Sequence, residues 1–303
     1  MENSLVVLTD FDPLVNLVLN GLDSENSRRS YSHALSTFLE WWNHRGRPQF
    51  CKSEVLAYKE KLIRKGNSPS TVNIQLAAIK KLAREAEDNG LIDATIAQGI
   101  SHVHGVKMHG TRTGNWLNKS QARQLIDSPD ISTREGLRDR ALLSILIGAG
   151  LRRSEAANLR VEDIQQLEDR WIIVDLVGKG NRRRSIPIPQ FCKDNIDAWI
   201  EAANIKSGPI FRAFKRYKTK LFDNSMTPQA VHNIVEYYSR LCGFGVAAHD
   251  LRRSFARLSR KGGAQLEQIQ LSLGHASIKT TERYLNVEQD LVNAPCDYLD
   301  LGI

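Results

Sequence analysis

The sequence has few of the residues that build disulfide scaffolds, zinc sites or membrane spans. Its 303 residues include only four cysteines, and none lies in a Cys-x-x-Cys or Cys/His ligand pattern. This scarcity excludes a disulfide framework and a structural zinc site, and it is typical of a reducing compartment. The longest apolar run, residues 141–151, falls well short of the ~20 residues that a membrane helix needs. With no signal-peptide pattern at the N-terminus either, we expect a soluble cytoplasmic protein and no membrane partner.

Carboxylates are scarce relative to basic side chains. Lys and Arg total 42 against 34 Asp and Glu, which gives a formal net charge of +8. An excess of this size favours a polyanionic partner such as nucleic acid. No carboxylate lies between Asp93 and Asp127, whereas Lys107, Arg112 and Lys119 do. We expect the glycine-rich middle of this stretch to be an extended linker that lies along phosphates, the alternative being a solvated hinge.

The first hundred residues have a helical pattern. After residue 26, apolar side chains recur at three- and four-residue spacing, at Tyr31, Leu35, Phe38 and Trp42. Ser53 is predicted to cap a second helix and the Ser-Pro pair at 68–69 to open a third. Gly66 and Gly90 are the predicted ends of these two helices, and a short helix is expected over residues 94–100.

The rest of the chain combines helices with a β-hairpin. We predict a helix capped at Ser120, a longer one from Thr133 to Gly148 and a helical pattern again from Thr227 onward. Between them, residues 170–177 and 182–189 are strand-like runs around a glycine turn, and the prolines place this hairpin at the edge of a small sheet. The predicted fold class is mainly α with a small antiparallel β-sheet (α+β). The predicted boundaries are a helical domain over residues 1–103, a linker over 104–116, a second domain over 117–287 and a tail over 288–303.

Five short motifs in the second domain contain residues suited to phosphate chemistry. In chain order they are GLRRSE at 150–155, Lys179 in the hairpin turn, HDLR at 249–252, LGH at 273–275 and Tyr284. Taken singly, each has an ordinary structural explanation, such as a surface arginine, a solubilising lysine or a helix-capping histidine. Together and in this order, with nine residues from the last histidine to the tyrosine, they resemble the tyrosine recombinase family of phage integrases and Xer-type recombinases.

This resemblance implies a fold and a set of catalytic residues. The fold is an N-terminal helical, SAM-like core-binding domain followed by a catalytic domain, and the two form a C-shaped clamp on DNA. Arg153 adjoins one family arginine, Arg253 adjoins the other, and residues 182–184 are further arginines near the lysine, so the register rests on the resemblance. The implied catalytic residues are Arg152, Lys179, His249, Arg252, His275 and Tyr284.

The chemistry of phosphodiester cleavage requires groups of these kinds. A tyrosine nucleophile has an ordinary pKa near ~10 and needs an electropositive site. Two arginines can each donate two hydrogen bonds to phosphate oxygens and stabilise the transition state. By resemblance, His249 assists proton transfer at Tyr284, Lys179 protonates the departing 5′ oxygen, and the product is a 3′-phosphotyrosyl link. The resemblance implies no cofactor and no metal.

The expected partner is double-stranded DNA with specific recombination sites. By resemblance the DNA-facing residues are Arg28, Arg29, Ser70 and Thr71, with Lys107, Arg112 and Lys119 on phosphates; the alternative is an ordinary surface and a helix cap. The tail over 288–303 is acidic and amphipathic, and the resemblance implies that it docks on a neighbouring protomer in a homotetramer on two paired sites. Packing of the tail on its own domain, and a need for a partner recombinase or accessory protein, stay open.

Two other functions are compatible with parts of this pattern. A type IB topoisomerase uses related arginine, lysine, histidine and tyrosine chemistry on one duplex. A DNA-binding regulator could keep the fold without the chemistry. The short acidic tail and separate core-binding domain argue against the topoisomerase, and the complete set of catalytic residues argues against the regulator.

Overall fold

The computed structural model describes residues 12–107, 115–178, 183–215, 220–275 and 277–285, except for the side chains of Asp12, Lys279, Arg283 and Tyr284. The chain divides between Arg112 and Thr113 into two compact units. Within the described ranges, no helix combines the length and the apolar character needed to cross a membrane.

The first unit is entirely helical over its described residues. Its helices are α1 (Asp12–Asn20), α2 (Glu25–His44), α3 (Lys52–Arg64), α4 (Pro69–Asp88) and α5 (Ala94–Ser101). The predicted apolar face of α2 is confirmed, because Leu35, Phe38 and Trp42 are buried in the core and Tyr31 packs against it, half-buried. Burial of one such face, rather than helix propensity alone, stabilises these elements.

The capping predictions for the first unit have mixed outcomes. Ser68 does cap α4, since its Oγ accepts a hydrogen bond from the Thr71 amide at 3.1 Å. The prediction that Ser53 caps the second helix is wrong, because α3 already begins at Lys52, with Cys51 in the extended conformation before it. Helix starts that are predicted from a capping residue alone are commonly displaced by one or two residues.

The two ends of the predicted linker each bind the unit that they adjoin. The Asn73 side chain accepts a hydrogen bond from the Val106 amide at 2.7 Å and donates one to the Val106 carbonyl at 3.0 Å. Lys59 Nζ donates to the His104 carbonyl at 2.8 Å. On the other side, Asn115 Nδ2 donates to the Gly245 carbonyl at 3.2 Å.

The second unit is built from helices around a central apolar helix, with two small sheets. Its helices are α6 (Lys119–Asp127), α7 (Arg134–Gly148), α8 (Arg153–Asn158), α9 (Gln190–Ala203), α10 (Pro228–Leu241), α11 (Ala248–Lys261), α12 (Leu266–Leu273) and α13 (Ile278–Leu285). Its strands are β1 (Ile164–Leu167), β2 (Arg170–Val177), β3 (Arg183–Pro187), β4 (Arg212–Phe214) and β5 (Leu221–Ser225). The predicted class, mainly α with a small antiparallel sheet, is confirmed.

The central helix α7 holds the other elements in place. Residues 141–147 are all buried, and α9 and α11 pack on them. Thr133 caps α7 as predicted, because its Oγ1 accepts from the Gly136 amide at 3.0 Å. The predicted cap of α6 at Ser120 is wrong, because Asn118 is the cap and exchanges hydrogen bonds with Gln121.

The predicted hairpin is confirmed, and its strands are β2, at the centre of a three-stranded sheet, and β3. The strand order is β1-β2-β3, all antiparallel, so β3 with its proline is at an edge. Side chains along β3 alternate, with Arg184 and Ile186 on the inner face and Arg183 and Ser185 exposed. This alternation directs one arginine of the hairpin toward the motifs of the second unit.

Candidate active site

Arg152 lies in the sharp turn between α7 and α8. The turn begins at Gly150, where φ is +60° and a Cβ atom would lie 2.5 Å from the Phe255 ring, so only glycine fits there. Arg152 follows as the residue before α8, and its Nη1 donates to Glu155 Oε1 at 2.6 Å while its amide donates to Oε2 at 2.8 Å. The adjacent Arg153 is exposed, so Arg152 is the arginine that the turn directs inward.

A buried carboxylate, Glu155, orients the basic groups around it. Its side chain is only 4% exposed, and Arg184 makes a bidentate contact with it, at 3.1 Å and 2.8 Å. Burial by itself raises the pKa of Glu155, but the hydrogen bonds from Arg184 and Arg152 outweigh burial and hold that pKa below its usual range. Glu155 is therefore an anion that fixes two guanidinium groups.

Arg184 also reaches the LGH motif. Its Nε donates to the Ser272 carbonyl at 2.9 Å, directly before that motif. The chain passes so close to Arg184 that a Cβ atom on Gly274 would lie 3.0 Å from Arg184 Cδ, and φ at Gly274 is +60°. Arg184 therefore ties β3 to the turn that precedes His275.

Arg252, on α11, is buried between the same two turns. It is 1% exposed, and its Nη1 donates to the Gly150 carbonyl at 2.6 Å while its Nη2 donates to the Leu273 carbonyl. Glu155 Oε2 lies 3.9 Å from Nη1. Arg252 thus joins the turn that carries Arg152 to the turn that carries His275.

The two histidines complete the cluster. Desolvation by the surrounding protein, together with the charges of Arg253 and Arg252, lowers the pKa of His249. His275 is half-buried, its Nδ1 lies 3.0 Å from Thr281 Oγ1, and burial with the charge of Arg252 lowers its pKa to about 4. Both rings are therefore neutral at pH 7 beside a concentration of guanidinium charge.

The described part of the predicted catalytic set converges. Arg152, Arg252 and Arg184 all contribute positive charge at His275, and the His249 ring is close enough to interact with it as well. A cluster of guanidinium and imidazole donors with one buried counter-charge is suited to bind a tetrahedral oxyanion such as a phosphodiester. In the described ranges, no group of three or more His, Cys, Asp or Glu side chains is placed to hold a metal ion.

The remaining catalytic residues are described only in part or not at all. Lys179 lies outside the described residues, between β2 and β3. Tyr284 lies on α13 by its backbone, three residues after Thr281, but its side chain is outside the description.

The predicted DNA-facing residues are exposed where they are described, and they are not part of the cluster. Arg28 and Arg29 lie on α2, Ser70 and Thr71 on the first turn of α4, and Lys107 at the end of the first unit. Lys119 opens α6. Arg112 and the tail over 288–303 lie outside the described residues.

Three residues have roles in this site that were not predicted from the sequence: Arg184, Glu155 and Thr281. A signal for Arg184 was available, because Arg184, Ile186 and Ile188 follow the two-residue period of a strand with an inner face. Glu155 follows Arg152 by three residues, the spacing of a reciprocal helix cap. Nothing in the sequence pattern distinguished Thr281.

The low pKa of His275 predicts an acid-sensitive fold. The unfolded chain binds more protons than the folded protein between pH 4 and pH 6.5, so acidification through that window lowers the free energy of unfolding. We expect His275→Gln to lose less stability than wild type from pH 6.5 to pH 4.5 in urea titrations. The control His33→Gln changes an exposed histidine of the first unit and should behave like wild type; equal acid losses in His275→Gln and wild type would contradict the assignment.

Comparison with known proteins gives consistent matches. The family model described as "Phage integrase family" matches residues 115–290, and "Phage integrase, N-terminal SAM-like domain" matches residues 16–90. The tyrosine recombinase XerA of Pyrococcus furiosus is 31% identical over 264 residues, which cover 87% of this chain and 84% of that protein.

Solved structures share the fold. XerH site-specific recombinase bound to palindromic difH substrate has a TM-score of 0.70 at 21% identity, covering 86% of this chain and 76% of that one. A lambda integrase tetramer bound to a Holliday junction has a TM-score of 0.69 at 15% identity, covering 92% of this chain and 78% of that one. The family model that matches more than half of the chain, and the relative that covers most of it, lead to one conclusion: this chain belongs to the phage integrase family of tyrosine recombinases, enzymes that cleave and rejoin DNA strands.

Proposed function

We propose that this chain is a site-specific DNA recombinase that exchanges strands through a 3′-phosphotyrosyl intermediate and a Holliday junction. The observation that carries the proposal is the convergence of Arg152, Arg252, His249 and His275 in the second unit, with Glu155 as their buried counter-charge. This arrangement supplies fixed donors for a phosphodiester and matches the family to which the chain belongs.

The scissile phosphate binds between the two arginines. Arg152 is 29% exposed at its side chain, so part of its guanidinium can meet DNA while Glu155 holds the rest. Each Nη of Arg252 carries two hydrogens and can bond a carbonyl and a phosphate oxygen together. A bound phosphate adds negative charge beside His249 and His275 and raises the pKa of both, which favours proton transfer at the site.

Cleavage then proceeds as an in-line transfer of the phosphoryl group. The Tyr284 hydroxyl oxygen forms a bond to phosphorus while the bond from phosphorus to the 5′ oxygen breaks. His249 accepts the phenol proton, Lys179 gives a proton to the 5′ oxygen, and the arginines with His275 stabilise the extra charge on the non-bridging oxygens. The resulting ester conserves the bond energy, so a 5′-hydroxyl from a second duplex reverses the step and rejoins the strand.

The other parts of the chain serve DNA binding and assembly in this proposal. Residues 1–103 and 117–287 both bind the duplex, and the basic linker over 104–116 joins them. The tail over 288–303 docks on a neighbouring protomer, which gives a homotetramer on two paired sites. Lambda integrase, which shares the fold, forms a tetramer bound to a Holliday junction, which supports the tetramer in this proposal. The proposal includes a cytoplasmic location, where the protein has access to DNA.

A nicked suicide substrate tests the nucleophile. Purified protein is incubated in EDTA with nicked duplex carrying the DNA that flanks its own gene. We expect a covalent protein–DNA adduct on a denaturing gel from wild type and none from Tyr284→Phe. The matched control Tyr237→Phe changes a tyrosine that is 63% exposed on α10 and should form the adduct normally. An adduct from Tyr284→Phe would contradict the assignment of the nucleophile.

The same preparation distinguishes the alternative functions. Relaxation of a supercoiled plasmid that lacks the flanking DNA would favour a type IB topoisomerase, because that activity needs no specific site. Specific binding of the flanking DNA without any adduct would favour a binding regulator of the same fold.

A further inference from the structure

The helix that contains Tyr284 packs through a small apolar cluster, separate from the main core of the second unit. This cluster consists of Ala256, Ile269, Leu273 and Leu285, with Phe255, Ala264 and Leu266 packed against it. Among the side chains that the structure describes, it buries far fewer than the core around α7 does. Since burial of apolar area is the main source of stability, the position of α13 depends more on polar contacts than that of the core helices does.

One of these polar contacts holds the end of α13 next to Tyr284. Arg257 on α11 donates from Nη1 to the Leu285 carbonyl at 3.0 Å. Carbonyls in the last turn of a helix have no partner within the helix, and a cation beside them also interacts favourably with the helix dipole. The residue that receives this bond is the immediate neighbour of Tyr284.

Arg257 is itself held by an aromatic ring. Its guanidinium carbon lies 3.8 Å from the centre of the Trp116 ring, a cation–π contact that restrains the guanidinium. Trp116 is anchored on both sides, because Asn115 Nδ2 donates to the Gly245 carbonyl at 3.2 Å and the Leu117 amide donates to Ser254 Oγ at 2.8 Å. A chain of contacts therefore runs from the first described residues of the second unit to the end of α13.

We propose that Arg257 is a positioning residue for Tyr284, and that Trp116 holds the Arg257 guanidinium in the orientation that this requires. The inference rests on the proposed function, in which Tyr284 attacks the scissile phosphate. In this inference residues 115–117, at the beginning of the described part of the second unit, control the position of the helix that carries the nucleophile. Loss of either side chain leaves the catalytic cluster intact but misplaces the attacking oxygen, and small misplacements of a reacting group slow its reaction about 100-fold.

Adduct formation at saturating DNA separates positioning from binding. We expect Arg257→Ala and Trp116→Ala each to slow single-turnover adduct formation by about 10- to 100-fold, with a Kd for DNA within about three-fold of wild type. Arg257→Lys keeps a cationic donor and should recover part of the rate, and Trp116→Phe keeps a ring and should do the same. The matched control Arg260→Ala removes an arginine from the same helix whose Nη1 contacts the Ala264 carbonyl, and it should cleave like wild type.

The double variant tests whether the two side chains act together. If Trp116 acts through Arg257, the variant that lacks both should be no slower than Arg257→Ala alone. Additive losses would overturn the role of Trp116. A wild-type rate in Arg257→Ala, or an equal loss in Arg260→Ala, would overturn the role of Arg257.

Hydrogen exchange gives a readout that does not depend on activity. Amides over residues 278–285 should exchange faster in Arg257→Ala than in wild type and Arg260→Ala, while exchange over α7 stays unchanged. If no protein forms an adduct, the proposed function fails, yet faster exchange in Arg257→Ala would still support the anchoring contact. Unchanged exchange over 278–285 would overturn it.

Discussion

Replacing Arg152 by alanine should slow strand cleavage by about 10²- to 10³-fold while DNA binding stays close to that of wild type. Removal of one fixed donor from an oxyanion site typically has an effect of this size. Arg152 is suited to such a role because the Glu155 carboxylate accepts hydrogen bonds from both the Arg152 amide and its Nη1. These bonds fix the guanidinium before DNA binds. The residues that we propose to face DNA lie elsewhere in the chain, so we expect the loss to fall on the rate of cleavage.

The measurement is single-turnover adduct formation at saturating suicide substrate, with the Kd determined separately by gel shift. Arg153→Ala is a close control, since it removes the same charge from the next residue, whose side chain is exposed. Arg152→Lys keeps the charge but loses the planar pair of donors, so it should stay well below the wild-type rate. Equal rates for Arg152→Ala and Arg153→Ala would contradict the placement of Arg152 at the phosphate.

Elements with one strong local signal could be predicted from the sequence. The α2 face recurs at the helical period, α4 begins with Ser68 and Pro69, and the hairpin has two β-rich runs around glycines. In each case the local preference and the burial pattern agree. The order of the chemical motifs in the second domain was also sufficient to indicate the family. It did not indicate which side chains of these motifs contact one another.

Elements that depend on tertiary contacts could not be predicted. The helix α1 is nine residues long and is stabilised by packing Leu14 and Val18 against the rest of the first unit. Strands β1, β4 and β5 have five residues or fewer, and none of them contains a run of β-branched residues like that of β2. The two-residue period of β3 indicates which arginine faces inward, but not that Arg184 contacts Glu155 and the Ser272 carbonyl. Long-range pairing, absent from any local window, determines all of these.

Loss of Glu155 should strongly destabilise the second unit, even though the family motif gives it no part in the bond-breaking step. Two guanidinium groups donate to its side chain and a third, that of Arg252, lies 3.9 Å away. Removing one partner of a buried ion pair leaves the charge of the remaining partner buried without compensation. For Glu155→Ala we expect a loss of about 3–5 kcal/mol in the free energy of unfolding, measured by urea titration.

The control and the rescue follow from the same electrostatics. Glu236→Ala removes a glutamate that pairs with Arg240 on the surface of α10 and should cost about 1 kcal/mol or less. A multivalent anion such as sulfate can occupy the cluster and replace part of the missing negative charge, so it should stabilise Glu155→Ala more than wild type. A loss in Glu155→Ala no larger than that in Glu236→Ala would contradict the counter-charge role. If Glu155→Ala loses the expected free energy of unfolding but sulfate does not stabilise it more than wild type, the loss comes from packing. An ion restores charge but not the side-chain volume that alanine lacks.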